Sequence, residues 1–342
     1  MTRRGGGDGT RGRRGSAVTP TAFKRVIAKV APIFSGYAQQ DAHELLSFLL
    51  DGLHEDLNRV VDKATFDAAE CLDEDEEQER TVAKKRWQQH LSRNQSLVVD
   101  HFHGQLCSRL ACPHCSRTST TFDPFASLSV PLPSSSTARR GNRSAVPPGT
   151  LPAANARVHV LDCLDLFTRE EKLNRKNGWY CGGCKDHVQA SKRLGLWKLP
   201  DVLVIHLKRF QQTSAVRRTK IDTLVRFPLD HLDLTEYIEP HSPHRRQDVN
   251  VYNLFAVVNH MGGLGGGHYT AAARMLRGEG AGSSGNADTQ WHEFNDASVN
   301  TKASETVESP AAYLLFYSRC DRTQLIEHHK QRASARRIGG QA

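Results

Sequence analysis

The chain has 342 residues, 38% of them hydrophobic and 24% charged, with a formal net charge of +9. That length holds one large domain or two ordinary ones with enough apolar content for a core, and no apolar run approaches the roughly 18 residues that a membrane span needs. Much of the basic excess sits in tails, with Arg3, Arg4, Arg11, Arg13 and Arg14 at one end and Lys330, Arg332, Arg336 and Arg337 at the other, a distribution of solvated segments rather than of a nucleic-acid-reading surface.

Residues 1–18 form a basic, low-complexity leader. Phe23, Ile27 and Val30 then fall at helix spacing until Pro32 breaks the helix. Asp41 opens a second helix whose apolar face is Leu45, Phe48, Leu49, Leu53 and Leu57. The acidic run Asp73–Glu79 reads as a solvated loop before a polar helix around Trp87. Strand-like alternation follows from Leu97 to Leu110, and another strand from Thr121 to Pro131. Residues 134–157 are a low-complexity Ser/Pro/Gly/Arg insertion. Val158–Leu173 gives a short strand and helix, and Val202–Leu207 a buried strand. Tyr252–Val258, His268–Arg274, Trp291–Phe294 and Ala312–Tyr317 read as further strands before a basic tail, 320–342. Helices first and strands afterwards indicate an α+β fold.

Cys112-Pro-His-Cys115 and Cys181-Gly-Gly-Cys184 each put two thiols on one tight turn. Two such turns close a tetrahedral zinc site with no open position, which is structural rather than catalytic. A thioredoxin-type redox pair and chance spacing are the alternatives, and the presence of two pairs favours Zn2+. Eight cysteines, four of them so arranged, suit a reducing compartment, so cytosol or nucleus is expected.

His268 follows a glycine-rich loop at a strand start, with Asn295 and Asp296 on a later strand end. Such a histidine acts as general base toward a thiol when an amide or carboxylate orients its other nitrogen. Gly267 beside it lets backbone approach backbone closely, which suits a narrow channel. No cysteine is well placed as the nucleophile. Cys71 and Cys163 lie among acidic residues, Cys107 leads into the metal site, and Cys320 follows the last strand.

Several blocks together resemble the ubiquitin-specific protease family of papain-like deubiquitinases. They are Phe34-Ser-Gly-Tyr-Ala-Gln-Gln-Asp-Ala-His-Glu-Leu-Leu, Leu49–Arg59, Asn94–Gly104, Leu199-Pro-Asp-Val-Leu-Val-Ile-His-Leu-Lys-Arg-Phe, Gly267-His-Tyr-Thr-Ala and Trp291-His-Glu-Phe-Asn-Asp, with the two cysteine pairs. The resemblance covers residues 19–319. It implies a thumb, palm and zinc-ribbon fingers, with ubiquitin as partner and its Gly-Gly tail threaded between thumb and palm. His268 takes the base role, Asn295 the orienting role, and Asp296 assists or shares it. Asp41 and Glu44, one helical turn apart, would line the tail channel and meet arginines of that tail.

The family also opens with a block that carries its nucleophilic cysteine at a helix N-terminus, and residues 1–18 contain no cysteine. Two expectations follow. Either this is a truncated copy of an active ubiquitinyl hydrolase, favoured by the abrupt join of leader to mid-domain helix, or it is a ubiquitin-binding pseudoenzyme. In both, the chain as written binds ubiquitin without cleaving it, and loss of a first helix exposes thumb core. A zinc-containing nucleic-acid binder using the basic tails is the alternative from another class.

Overall fold

The computed structural model describes residues 18–63, 65, 76–133, 158–212, 218–246, 250–263, 266–274 and 290–321. The 134–157 insertion, Cys71 and almost all of both basic tails lie outside them.

The first described segment is helical. Helix α1 (Thr21–Val30) ends before Pro32, and α2 (Ala42–Asp56) starts at Asp41, whose carboxylate accepts the N–H groups of His43 and Glu44. Helix α3 (Glu76–Leu91) and α4 (Leu97–Phe102) complete this part, with Ser96 capping α4 by accepting Val99 N–H. The apolar stripe expected to bury α2 is largely uncovered, because Leu50 and His54 are its buried residues while Phe48, Leu53 and Leu57 stay exposed. Helix α1 buries no residue at all, and Phe23, Val26 and Val30 are 51–72% exposed.

Strands β1 (Gly104–Ala111) and β2 (Thr118–Phe125) form a hairpin, and β3 (Leu128–Val130) follows. After β4 (Val158–His159), helix α5 (Val160–Phe167) is closed by a reciprocal cap, the His159 ring taking Leu161 N–H while Asp162 takes His159 N–H. Then come β5 (Glu171–Lys172), β6 (Trp179–Cys181), β7 (Asp186–Val188), β8 (Ser191–Lys198) and β9 (Val202–Leu207). The rest is β10 (Phe210–Gln212), β11 (Arg218–Lys220), β12 (Val225–Arg226), β13 (Leu232–Asp233), β14 (Val251–Gly263), β15 (Gly266–Arg274), β16 (Trp291–Asn295), β17 (Ser298–Lys302) and β18 (Ala312–Arg319).

Two sheets organise these strands. One has the order β2-β1-β8-β5, and the larger has the order β17-β16-β15-β14-β18-β9-β3 with β13 on β14. The main core lies between the larger sheet and α5, where Leu203, Ile205, Leu207, Val257 and Leu315 meet Val160, Cys163 and Leu164, all fully buried. Each buried aliphatic side chain contributes about 1.5–3 kcal/mol by leaving water.

Three expectations are corrected here. Leu97–Phe102 is helix, not strand, since Val98 and Val99 are both buried and adjacent residues of a strand cannot face one layer. Thr121–Pro131 is divided between β2 and β3, which join different sheets. The acidic run is not a solvated loop over its described part. Glu79 lies inside α3 and is 3% exposed, receiving Arg109 Nε and Nη2 at 2.8–3.1 Å and His241 Nδ1 at 3.1 Å.

Arg109 also pairs with the buried Glu239, which Arg193 approaches at 3.3 Å. This network ties α3 to the four-stranded sheet. Glu239 lies so close over β8 that a methyl group on Gly195 would overlap its carboxylate. We therefore expect Gly195→Ala to destabilise the chain by about 3 kcal/mol by splitting a buried ion pair; urea unfolding with an unchanged midpoint would refute this.

Candidate functional site

His268 and Asn295 are brought together by strand register. Ala271 pairs with Phe294 across β15–β16, so Asn295 stands opposite Thr270, and His268, two residues along, shares that face of the sheet. The result is a 2.7 Å contact between His268 Nε2 and Asn295 Oδ1. A carbonyl oxygen only accepts, so the neutral imidazole carries its hydrogen on Nε2 and keeps a lone pair on Nδ1. Asp296 lies at the turn with φ 49°, its carboxylate 82% exposed and 3.9 Å from His268 Nε2. That distance is too long for a hydrogen bond; the orienting contact is made by Asn295.

The opposite wall is the start of α2. Asp41 Oδ1 holds the two helix N–H groups, and Asp41 Oδ2 accepts the Tyr313 hydroxyl at 2.5 Å. Burial and this carboxylate raise the Tyr313 pKa far above the usual phenol range. Ala42 N–H reaches Tyr269 Oη at 3.4 Å. Asp41 is thus committed to a cap and a tyrosine, whereas Glu44 is exposed beside it. Gly267 packs directly on the His260 ring, where a Cβ would overlap Nε2.

A stacked pair fills the junction. The rings of His43 and His206 lie 4.2 Å apart at 14°, bonded to Ser127 Oγ (2.9 Å) and Ser129 Oγ (2.7 Å) respectively. Burial lowers the His43 pKa, and burial with His43 nearby takes His206 to about 4. Sequence reasoning missed Tyr313, Tyr269, His43 and His206 as members of this site. The aromatic residues read only as strand core, and no spacing rule joins them.

None of the other described thiols replaces a nucleophile. Burial pushes Cys107 and Cys163 up to about 12 and Cys320 up to about 11. Cys107 packs with Ala83, Phe122 and Trp197 in the four-stranded sheet, and Cys163 lies in the main core.

The four paired cysteines do meet. Their sulfurs all lie within 4.8 Å of one another and could hold a metal ion. Cys112 and Cys184 Sγ are 3.7 Å apart, Cys115 and Cys181 Sγ 3.6 Å. The edge of a tetrahedron with metal–sulfur bonds of about 2.3 Å is about 3.8 Å, so the donor set fits. Cys112 follows β1, while Cys181 closes β6 opposite Asp186 of β7. Backbone amides of Cys115 and His114 lower the Cys112 thiol, whereas the neighbouring sulfurs of Cys115 and Cys112 raise that of Cys184.

A bonded imidazole on the large, mainly antiparallel sheet and a four-sulfur cluster beside a separate small sheet match the papain-like α+β fold. The sequence profile described as Ubiquitin carboxyl-terminal hydrolase matches residues 10–317, and the chain belongs to that family. Ubiquitin carboxyl-terminal hydrolase 2 of Gallus gallus is 39% identical over 303 residues, 88% of this chain and 74% of that protein. Its Homo sapiens counterpart is 40% identical over 302 residues, 88% of this chain and 44% of that protein. The SAGA Ubp8/Sgf11/Sus1/Sgf73 DUB module bound to ubiquitin aldehyde aligns with a TM-score of 0.58 at 27% identity, covering 88% of this chain and 54% of that one. The same module bound to monoubiquitin gives 0.57 and 28%, covering 88% and 54%.

Two predictions follow from this geometry. Histidines held below their usual value of 6.5 resist protonation when folded, whereas the unfolded chain takes up protons freely. Stability is therefore undiminished above 6.5 and falls as pH drops toward 4, the value for His206 and also for His90, which burial and His103 depress. Urea midpoints across this range should show that slope, reduced in His206→Gln. Second, metal analysis should find an ion that a chelator removes with loss of thermal stability, and that Cys181→Ser fails to retain.

Proposed function

We propose that this chain is the ubiquitin-recognising body of a cysteine-type deubiquitinase, with His268 as general base. The observation that carries this is the His268–Asn295 contact, which leaves Nδ1 free to accept a thiol proton. In the complete reaction, Nδ1 takes that proton and the thiolate attacks the carbonyl of ubiquitin's last glycine. The imidazolium then protonates the departing lysine amine, and water hydrolyses the thioester. Asn295 holds the ring, and Gly267 admits the side-chain-free tail. Glu44 is the exposed carboxylate for a tail arginine, while Asp41 acts through the architecture that it caps. The metal is Zn2+, in a closed thiolate site that shapes the fingers and takes no part in chemistry. A reducing compartment, cytosol or nucleus, suits these free thiols.

The reaction requires a thiol that none of the described cysteines supplies, and Cys71, outside the described residues, stands beside an acidic run of the sequence; on this reading the chain binds ubiquitin without cleaving it.

Calorimetry should show ubiquitin binding that weakens about tenfold in Glu44→Lys, the loss of one charge-assisted contact. A fluorogenic ubiquitin C-terminal reporter should stay intact. Reporter release that persists in His268→Ala would sink the assignment of His268, and absence of ubiquitin binding would sink the reading as a whole.

A further inference from the structure

Beyond Asn259 the catalytic ribbon loses a neighbour. Pairing of β14 with β18 ends at Asn259–Ala312, whereas pairing with β15 runs on to Gly263–Gly266 and includes Met261 opposite His268. The ribbon that carries His268 is therefore open along β14, and β15 itself pairs with β16 only from Ala271 on. His260 N–H leaves that edge for Ala311 O at 2.8 Å, so the carbonyls of His260 and of Gly262, two residues on, project the same way. Both end on one ammonium group. Lys220 Nζ donates to His260 O at 2.8 Å and to Gly262 O at 3.0 Å.

Lys220 is the last residue of β11, opposite Phe210. Its side chain is 8% exposed, with Asp222 Oδ1 3.3 Å away. The Phe210 ring packs edge-on against His260 at 5.2 Å, so the Phe210–Lys220 end of the β10–β11 pair lies against this edge. The ribbon is poorly equipped to stiffen itself here. Gly262 has φ 92°, a conformation that side chains resist, and Gly266 and Gly267 precede His268 on the facing strand.

We propose that Lys220 is a positioning residue for His268: its ammonium stands in for the missing strand and keeps the imidazole on Asn295. The β10–β11 hairpin is thereby coupled to the base, and a ligand that displaces the hairpin would loosen His268. The ubiquitin part of this inference rests on the deubiquitinase reading; the effect on the imidazole does not.

The test uses the full chain and imidazole nitrogen NMR. In the wild type, neutral His268 should be a single tautomer with hydrogen on Nε2. Lys220→Met keeps the length and removes the donors, so His268 should become a tautomer mixture and ubiquitin affinity should fall about tenfold. Lys220→Arg should restore both in large part. Ser242→Ala, which removes a buried bond to Trp197 O in another part of the molecule, should leave the His268 signals unmoved and so separates positioning from general destabilisation. His268 signals in folded Lys220→Met identical to wild type would overturn the proposal. If Lys220→Met does not fold, Lys220→Gln, with fewer and uncharged donors, carries the same comparison. A wild type that fails to bind ubiquitin refutes the deubiquitinase reading, while the tautomer comparison still decides the role of Lys220.

Discussion

The site depends on one carboxylate. Asp41 receives two helix N–H groups and a tyrosine hydroxyl from a residue 272 positions away, so it terminates α2 and anchors it to the palm sheet at once. Charge-assisted bonds of this kind contribute about 1.5–3 kcal/mol each. Their geometric effect is larger than their energy, because they fix where the helix begins relative to β15. The stacked His43–His206 pair extends the same junction with two neutral rings. A pairing of such sequence separation carries a loop-closure cost, and it joins the start of α2 to the strand that holds Tyr313.

Most polar groups buried in the palm find partners; Arg209 Nη2, His260 Nδ1 and Trp291 Nε1 are exceptions among the described residues. Arg209 is fully buried and donates to the carbonyls of Ala312, Ile221 and Thr223 without a carboxylate. Burial lowers its pKa to about 10; the charge is held by backbone dipoles, which clamp β18 to the segment after β11. Lys220 does the same at the next edge. Two cations thus stitch strand ends where sheet pairing stops.

The fingers solve a different problem. Their sheet has four strands and little apolar depth, so Glu79, Arg109 and Glu239 link helix to sheet at one end, and four sulfurs gather at the other. Buried ion pairs are weak sources of net stability but strongly penalise any arrangement that leaves one member alone. The thumb is the contrast, with its helical apolar faces open to solvent. Burial among the described elements is accordingly uneven: β9 and β18 are largely covered, whereas α1 buries no residue.

What the sequence determined by itself was everything local in origin. The cysteine knuckles were legible because two thiols on one turn need only a short stretch of chain. His268 and Asn295 were legible through the motifs around them, and most palm strands through their β-branched runs. Local pattern erred where burial came from elsewhere, as in α4, whose adjacent valines are both covered, and at Glu79, which Arg109 draws inside. Only the tertiary structure could show that Asn295 lies within hydrogen-bonding distance of the His268 ring while Asp296 stands farther off, since a one-residue step at a strand end decides which side chain reaches the ring. Only it could join Asp41 to Tyr313 or Lys220 to the ribbon of His268. Those contacts are set by sheet register and by which strand edges stay open, properties of several strands at once that no single stretch of residues encodes.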